Sequence, residues 1–167
     1  YNPLISEFVT QKVVENAVRI KNGSKKPIEL VNLDETRDWG YAQDYVKGMY
    51  LMLQANKADD YILATNKTYS VRELVTLTFK NLNIEIECIV KGINEKAIDK
   101  KNGRELVVIN ENYYRPAEVD KLIGDYSKAE RDLGWRPKTS FSNLISIMVA
   151  LWFFGISIGS LLLWGIC

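Results

Sequence analysis

The sequence predicts an α/β fold, because segments with the pattern of strands alternate with segments that have the pattern of helices. Residues 28–32 and 60–64 are short apolar runs, and the second is of the kind found buried in a mostly parallel sheet. Residues 44–55 and 71–82 carry apolar side chains at helical spacing. The 167 residues are 47% apolar and 26% charged, which is typical of a globular domain with a core of its own.

The first predicted helix covers residues 7–21, with Ser6 as its cap and Asn22-Gly23 at its end. Its charged and polar positions include Thr10 and Lys12, for which the plain expectation is a solvated helix face. Its apolar stripe consists of Val9, Val13, Ala17 and Ile20, with Val14 and Val18 beside it.

Capping patterns mark two later helices. Ser70 and Glu73 form a Ser-x-x-Glu capping box, which predicts a helix that continues to about Leu82. Ser127 is the predicted cap of a short helix that ends at Gly134.

The remaining elements are predicted from apolar pattern and turn chemistry. The helix over residues 44–55 is predicted to bury an apolar side in the core. A polar stretch, residues 91–103, ends in a hairpin-type turn at residues 100–103 and leads into a strand over residues 106–109. The apolar side of the helix is made of Tyr45, Val46, Met49, Tyr50, Met52 and Leu53.

Composition excludes several classes of function. The chain has no histidine, which excludes imidazole metal sites and histidine-based catalytic triads, and we expect no metal site. A net charge of +1 argues against a nucleic-acid-binding surface. Cys88 and Cys167 are too few for a disulfide framework, and Cys88 is expected to be a reduced thiol against apolar surface. No signal peptide opens the chain, whose first residues have the pattern of a protein interior.

Two clusters combine arginine, carboxylate and aromatic residues, at residues 37–46 and 113–120. A guanidinium binds phosphate oxygens with a fixed planar fork, so Arg37 and Arg115 could together clamp a diphosphate. Spacing alone leaves an alternative open, in which both arginines only fix loops by pairing with nearby carboxylates. Those carboxylates are Asp38, Glu118 and Asp120.

The two clusters, in this order, resemble the nucleotide-sugar branch of the extended short-chain dehydrogenases, and in particular the GDP-mannose 4,6-dehydratase family. The similarity covers residues 7–145. The clamp is shared with epimerases, whereas residues 37–40 and the insert at residues 94–101 are narrower features that favour the dehydratases. The segments that carry the resemblance are Glu7-Phe8-Val9-Thr10-Gln11-Lys12, Asn32-Leu33-Asp34, Arg37-Asp38-Trp39-Gly40, Asp60-Tyr61-Ile62-Leu63-Ala64-Thr65, Ser70-Val71-Arg72-Glu73, Asn94-Glu95-Lys96-Ala97-Ile98-Asp99-Lys100-Lys101 and the run from Arg115 to Pro137.

The resemblance implies that the chain is the C-terminal, substrate-binding part of an extended Rossmann-type short-chain dehydrogenase. Residues 1–140 would be its nucleotide-sugar-binding portion. The N-terminal dinucleotide-binding βαβ unit would be missing, because no Gly-x-Gly-x-x-Gly occurs in the sequence. The Tyr-x-x-x-Lys pair of this superfamily has no counterpart either, since Tyr41, Tyr45 and Tyr50 lack a lysine four positions on. We therefore expect no catalytic and no cofactor-binding residue in this chain.

The same resemblance assigns six substrate-binding residues. Arg37 and Arg115 would hold the diphosphate of a nucleotide sugar, and Glu118 would orient Arg115 or contact a ribose. The residues expected to line the nucleotide are Lys12, Leu30 and Asn32.

The activity that the resemblance implies is NADP-dependent conversion of GDP-mannose to GDP-4-keto-6-deoxymannose, the precursor of GDP-fucose. The full-length enzyme would be a cytoplasmic homo-oligomer, and this chain alone would be inactive. Two alternatives stay open: another nucleotide-sugar epimerase or reductase, and a membrane-anchored, non-catalytic binding protein.

The C-terminal tail, residues 141–167, contains no charged residue, whereas the last helix of the family is amphipathic. As a helix, residues 144–166 would span about 35 Å, enough for a hydrocarbon core of about 30 Å. Arg136 and Lys138 would place the start of this helix on the cytoplasmic side. A membrane anchor, a reading-frame accident and a buried terminal helix are the three interpretations of this tail.

Overall fold

A computed structural model describes residues 8–90, 92–110 and 123–153, without the side chain of residue 93. Two compact units are formed by these residues. The first unit comprises residues 8–35, 70–90, 92–110 and 145–153, and the second comprises residues 36–69 and 123–144.

The first unit is an α/β unit built on a four-stranded sheet, in the strand order β1-β6-β5-β4. A 3₁₀ turn, Gly92–Asn94, precedes β5. The helices are α1 (Val9–Lys21) and α3 (Val71–Asn81), and the strands are β1 (Ile28–Leu30), β4 (Ile86–Ile89), β5 (Lys96–Asp99) and β6 (Glu105–Ile109).

The sheet is mixed, which corrects the expectation of a mostly parallel one. Only β1 and β6 run parallel, with Ile28 opposite Val107, whereas β6 pairs with β5 and β5 with β4 in antiparallel fashion. The predicted turn at residues 100–103 is confirmed, because the amide of Gly103 donates to the carbonyl of Asp99 over 2.8 Å. A tight turn can join only antiparallel strands, so this hairpin fixes the direction of β5.

Helix α1 packs against α3 and covers the sheet with the predicted stripe of apolar side chains. Thr10 differs from its expectation, because it is buried with 2% of its surface exposed. At the start of α3 the predicted capping box forms, with Ser70 Oγ accepting from the amide of Glu73 and the Glu73 carboxylate accepting from the amide of Ser70. Ser6 lies outside the described residues.

The second unit contains helices α2 (Ala42–Leu53) and α4 (Ser127–Leu133), which pack on each other. A two-stranded sheet pairs β2 (Thr36–Arg37) with β3 (Tyr69–Ser70). The buried cluster of this unit consists of Tyr45, Leu63, Ala129 and Trp135.

Two sequence predictions are wrong in the second unit. Residues 60–64 form no strand, since none of the strands in the described residues pairs with them and a strand needs such a partner. The apolar side of α2 is not all core, since only Tyr45 and Gly48 of this helix are buried. The side chains of this helix that are exposed instead are Val46, Met49, Tyr50 and Leu53.

The cap of α4 also differs from its prediction. The helix begins at Ser127 itself, and the Asp125 carboxylate accepts from both the amide and the hydroxyl of Ser127, at 2.9 and 2.5 Å. These hydrogen bonds hold the pKa of Asp125 below its usual value. The predicted end is confirmed, because Gly134 adopts a left-handed conformation with φ of 65°.

The last described helix, α5 (Phe141–Phe153), buries one apolar stripe at helical spacing. None of the helices in the described part of the chain is both long and apolar enough to cross a membrane. Of residues 144–166, which would be long enough to span a membrane as a helix, residues 154–166 lie outside that part. The buried side chains of α5 are Phe141, Leu144, Ile145, Met148 and Val149.

Candidate functional site

Arg37 lies in the second unit, on strand β2, and its side chain is exposed. Its guanidinium Nη1 donates to the carbonyl of Thr36 over 3.0 Å. The pairing of β2 with β3 fixes the backbone that carries this side chain. The positively charged side chain of Arg37 is therefore exposed on a short paired strand.

Asp38 fixes the loop that follows Arg37. One carboxylate oxygen accepts from the amide of Thr65 over 2.8 Å, and the other accepts from the Thr65 hydroxyl over 2.7 Å. Burial, and then the charges of Asp38 and Asp44, raise the pKa of the nearby Tyr45 hydroxyl. Asp38 is thus an internal hydrogen-bond acceptor of the second unit.

Trp39 and Gly40, the next two residues of this cluster, both lie in tightly packed positions. Trp39 is buried and its ring stacks on Phe141, with the ring centroids 5.4 Å apart. Gly40 lies against Tyr45 so closely that an added Cβ would be 2.0 Å from the tyrosine oxygen. Only glycine fits at position 40 with the tyrosine in place.

Asp44 closes the same cluster by binding the segment after α4. Its carboxylate accepts from the amides of Lys138 and Thr139, at 3.1 and 2.9 Å. Its carbonyl accepts from the indole nitrogen of Trp135 over 2.7 Å. The sequence indicated Asp44 only as a carboxylate in the same cluster as Arg37, and it did not indicate that Asp44 binds residues 138 and 139.

Lys12 is placed in the first unit, half-buried on α1. It lines an open cavity of about 220 Å³, and the cavity brings Lys12 together with the start of β1. Both signs of charge are present in its walls. The other lining residues are Glu15, Asn16, Arg19, Lys26, Pro27, Ile28 and Glu29.

The two other predicted nucleotide contacts lie at the end of β1. Leu30 is 4% exposed, so its side chain belongs to the core, and its carbonyl accepts from the amide of Asn110 over 2.8 Å. Asn32 Oδ1 accepts from the amide of Asp34 over 2.7 Å, which makes a tight polar turn. Any contact between Leu30 and a ligand would therefore be made by its main-chain groups.

Arg115 and Glu118 lie outside the described residues. Of the other four predicted residues, Lys12, Leu30 and Asn32 belong to the first unit and Arg37 to the second.

Sequence reasoning missed an ion-pair network centred on Arg72 of α3. Its guanidinium donates to Asp34 over 2.6 Å and also binds both oxygens of Glu95, which is 3% exposed. Partial burial lowers the pKa of Arg72, but hydrogen bonds to Asp34 and Cys88 outweigh burial and raise it. The available signal was Glu95, one of two acidic residues in the insert at residues 94–101. The ion pair between Arg72 and Glu95 holds that insert on α3.

Most of the chain is similar to one enzyme family. A family model described as GDP-mannose 4,6 dehydratase matches residues 1–148. The chain belongs to this family. The curated GDP-mannose 4,6 dehydratase of Drosophila melanogaster is 45% identical over 142 residues, which are 85% of this chain and 36% of that protein. The GDP-mannose 4,6-dehydratase of Sinorhizobium fredii is 44% identical over 149 residues, which are 89% of this chain and 42% of that protein.

Solved structures confirm the fold of this chain. RMD of Pseudomonas aeruginosa, solved with NADPH, aligns with a TM-score of 0.69 at 20% identity, over 87% of this chain and 42% of that one. UDP-glucose 4-epimerase of Thermotoga maritima, solved with UDP-glucose, aligns with a TM-score of 0.67 at 19% identity, over 93% and 42%. The predicted α/β fold is therefore confirmed, and the chain spans about two fifths of the length of its relatives.

Proposed function

We propose that this chain forms the nucleotide-sugar-binding part of a GDP-mannose 4,6-dehydratase. The observation that carries the proposal is the family match over residues 1–148, which includes both arginine clusters. The reaction would oxidise C4 of GDP-mannose, eliminate water across C5 and C6 and return the hydride to C6. The product would be GDP-4-keto-6-deoxymannose, which supplies GDP-fucose.

Arg37 would bind the diphosphate together with Arg115. In support, Arg37 is exposed on a paired strand, and Asp38 beside it is held by both hydrogen-bonding groups of Thr65. A planar fork matches two phosphate oxygens at once, and charge-assisted hydrogen bonds of this type are among the stronger ones in proteins. Glu118 would orient Arg115 or contact a ribose.

The nucleotide would lie along Lys12, Asn32 and the main chain of Leu30. The cavity beside Lys12 supports this position, since it reaches the first residues of β1, the strand that ends at Leu30. The burial of Leu30 restricts its contribution to backbone groups.

NADP, the cofactor that the family implies, does not fit the residues present. The sequence contains no Gly-x-Gly-x-x-Gly, and such a glycine-rich turn is what lets a helix N-terminus approach a pyrophosphate. We propose that NADP binding and the chemical steps use groups that are not among these 167 residues, and that the complete enzyme is a homo-oligomer. The complete enzyme would act in the cytoplasm.

A membrane-anchored binding protein is the second candidate, and the uncharged run at residues 141–167 favours it. The buried stripe of α5 argues against it, because residues up to Val149 pack on protein.

Titration of the 167-residue chain with GDP-mannose, followed by isothermal calorimetry, tests the proposal. We expect Arg37→Lys and Arg115→Lys each to weaken binding about ten- to a hundredfold, because lysine keeps the charge but loses the planar fork. The double variant should lose less than the sum if both side chains hold one diphosphate.

The matched control is Arg131→Lys, since Arg131 is an exposed arginine of α4 that pairs with its neighbour Asp132. The clamp is disproved if GDP-mannose affinity survives both changes while the melting temperature falls, because the arginines would then only fix loops. Absence of any GDP-mannose binding by the folded chain contradicts the proposal as well.

A further inference from the structure

The turn that follows strand β1, residues 31–35, is attached to the start of helix α3 by main-chain hydrogen bonds. The amide of Val71 donates to the carbonyl of Glu35 over 3.0 Å, and the amide of Arg72 donates to the carbonyl of Leu33 over 2.9 Å. Amides in the first turn of a helix have no partner within the helix, so they can bind a neighbouring segment. Here that segment is the turn at residues 31–35, whose Leu33 is buried with 1% exposure.

The side chain of Arg72 holds the same turn by a second route. Its Nη2 donates to Asp34 over 2.6 Å and to Glu95 over 3.1 Å, and its Nη1 also binds Glu95. Glu95 is 3% exposed, and a carboxylate buried this deeply needs a paired cation. The main chain of Glu95 is fixed as well, because its carbonyl accepts from the amide of Ile109 in β6 over 3.3 Å. Arg72 thus connects Asp34, whose side chain is 64% exposed, to a buried partner on the sheet.

The Arg72 network, which consists of Arg72, Asp34 and Glu95, is unsuited to binding phosphate itself. Its two carboxylates outnumber its one guanidinium, so a phosphate nearby would meet a net negative charge. The guanidinium is already engaged by both carboxylates. A role of Arg72 in binding a nucleotide sugar must therefore be indirect, through the turn that it holds.

This turn carries Asn32, one of the predicted nucleotide contacts. Oδ1 of Asn32 accepts from the amide of Asp34 over 2.7 Å, so the orientation of the Asn32 side chain depends on the position of the Asp34 backbone. That backbone is restrained because Arg72 binds the Asp34 carboxylate. The contacts thus form one series, which runs from Glu95 through Arg72 and Asp34 to Asn32.

We propose that Arg72 is a positioning residue for the nucleotide sugar, and that it acts by holding the turn at residues 31–35 in the conformation that presents Asn32. The inference rests on the proposed function, in which Asn32 lines the nucleotide. It adds to the arginine clamp a second requirement for binding, which is a turn that is ordered before the ligand arrives. Order of this kind raises affinity, because a side chain that must be immobilised on binding lowers it.

Calorimetric titration of the 167-residue chain with GDP-mannose tests this role, with Asp34→Ala as the main variant. The substitution removes the carboxylate that joins the turn to Arg72 and leaves the pair of Arg72 with buried Glu95 in place. We expect binding to weaken about two- to tenfold, since one more side chain must be ordered when the ligand binds. The melting temperature should barely change, because the ion pair that is lost is largely exposed.

The direction of the change separates positioning from simple electrostatics. Asp34→Ala removes a negative charge, which by itself would strengthen the binding of an anionic diphosphate. The matched control is Asp59→Ala, since the side chain of Asp59 is 49% exposed and pairs with Lys128 over 2.7 Å. We expect this control to bind GDP-mannose no more weakly than the original chain.

Two further variants identify the residues in the series. Arg72→Lys should weaken binding about as much as Asp34→Ala, because lysine lacks the planar fork that reaches two carboxylates. Asn32→Ala should weaken binding by itself. Adding Asp34→Ala to Asn32→Ala should then cause little further loss, because the turn no longer carries the side chain that it presents.

Three results would overturn the inference. These are affinity in Asp34→Ala equal to or higher than that of the original chain, a loss of the same size in Asp59→Ala, and a loss from Asp34→Ala that is unchanged when Asn32 is alanine.

Failure of this inference is distinguishable from failure of the proposed function. If the original chain binds GDP-mannose and Arg37→Lys weakens that binding, unchanged affinity in Asp34→Ala contradicts the positioning role alone. If the original chain is folded and does not bind GDP-mannose, both proposals are wrong.

Discussion

At the scale of single residues, the cluster after Thr36 shows how one short motif combines several physical roles. Asp38 accepts two hydrogen bonds from Thr65, Trp39 stacks on Phe141, and Gly40 leaves room for the ring of Tyr45. Sequence reasoning identified this cluster from its composition. It could not assign these roles, because Thr65 and Phe141 are distant in sequence and only the fold brings them to the cluster.

Leu30 is the opposite case, because the resemblance assigned it a role and the structure restricts which of its atoms can perform that role. The resemblance assigned it to the nucleotide, yet its side chain lies in the core with 4% exposure. A family motif aligns backbone positions, and it does not distinguish a main-chain contact from a side-chain contact. Burial decides between the two, and burial depends on the sheet that β1 joins.

Gly40→Ala should destabilise the second unit by about 1–3 kcal/mol, because the new methyl group would overlap the Tyr45 ring and force a rearrangement. Chemical denaturation followed by tryptophan fluorescence measures this change. Adding Tyr45→Phe should recover part of the loss, since the atom closest to the added carbon is the tyrosine oxygen. Equal stability of Gly40→Ala and the original chain would show that the backbone at position 40 or the ring of Tyr45 shifts to accept the methyl group without a cost in stability.

At the scale of elements, the sequence predicted those whose pattern is local. The amphipathic stripe of α1, the capping box of α3 and the turn before β6 all form as expected. Strand β5 was missed, because Lys96–Asp99 mixes charged and apolar residues and becomes a strand through pairing on both sides. Pairing also explains the failure at residues 60–64, where apolar residues have no neighbouring strand among the described residues.

Ser70→Ala should destabilise the first unit by about 1 kcal/mol, because it removes the acceptor for the amide of Glu73 at the start of α3. Thermal and urea denaturation give the difference. Thr76→Ala is the control within the same helix, since Thr76 is exposed and only donates to the carbonyl of Arg72. A loss at Thr76 as large as that at Ser70 would mean that the capping box contributes little.

At the scale of the whole molecule, the composition of the tail left a membrane anchor, a reading-frame accident and a buried helix open, and the described part of α5 packs its apolar side chains against protein. Removing residues after 138 should therefore lower the melting temperature sharply, because five buried side chains are lost at about 1.5–3 kcal/mol each. Equal stability of the version ending at 138 would show that α5 adds nothing to the core.

The chain by itself should show no dehydratase turnover, because hydride transfer needs a bound dinucleotide and this sequence lacks the turn that binds one. The measurement is incubation of the purified chain with GDP-mannose and NADP, followed by mass spectrometry for the 4-keto product. A full-length relative, such as the GDP-mannose 4,6-dehydratase of Vibrio cholerae, serves as the positive control. Product above the buffer control from the 167-residue chain alone would mean that the catalytic groups lie within it, and the assignment of chemistry to other polypeptide would be wrong.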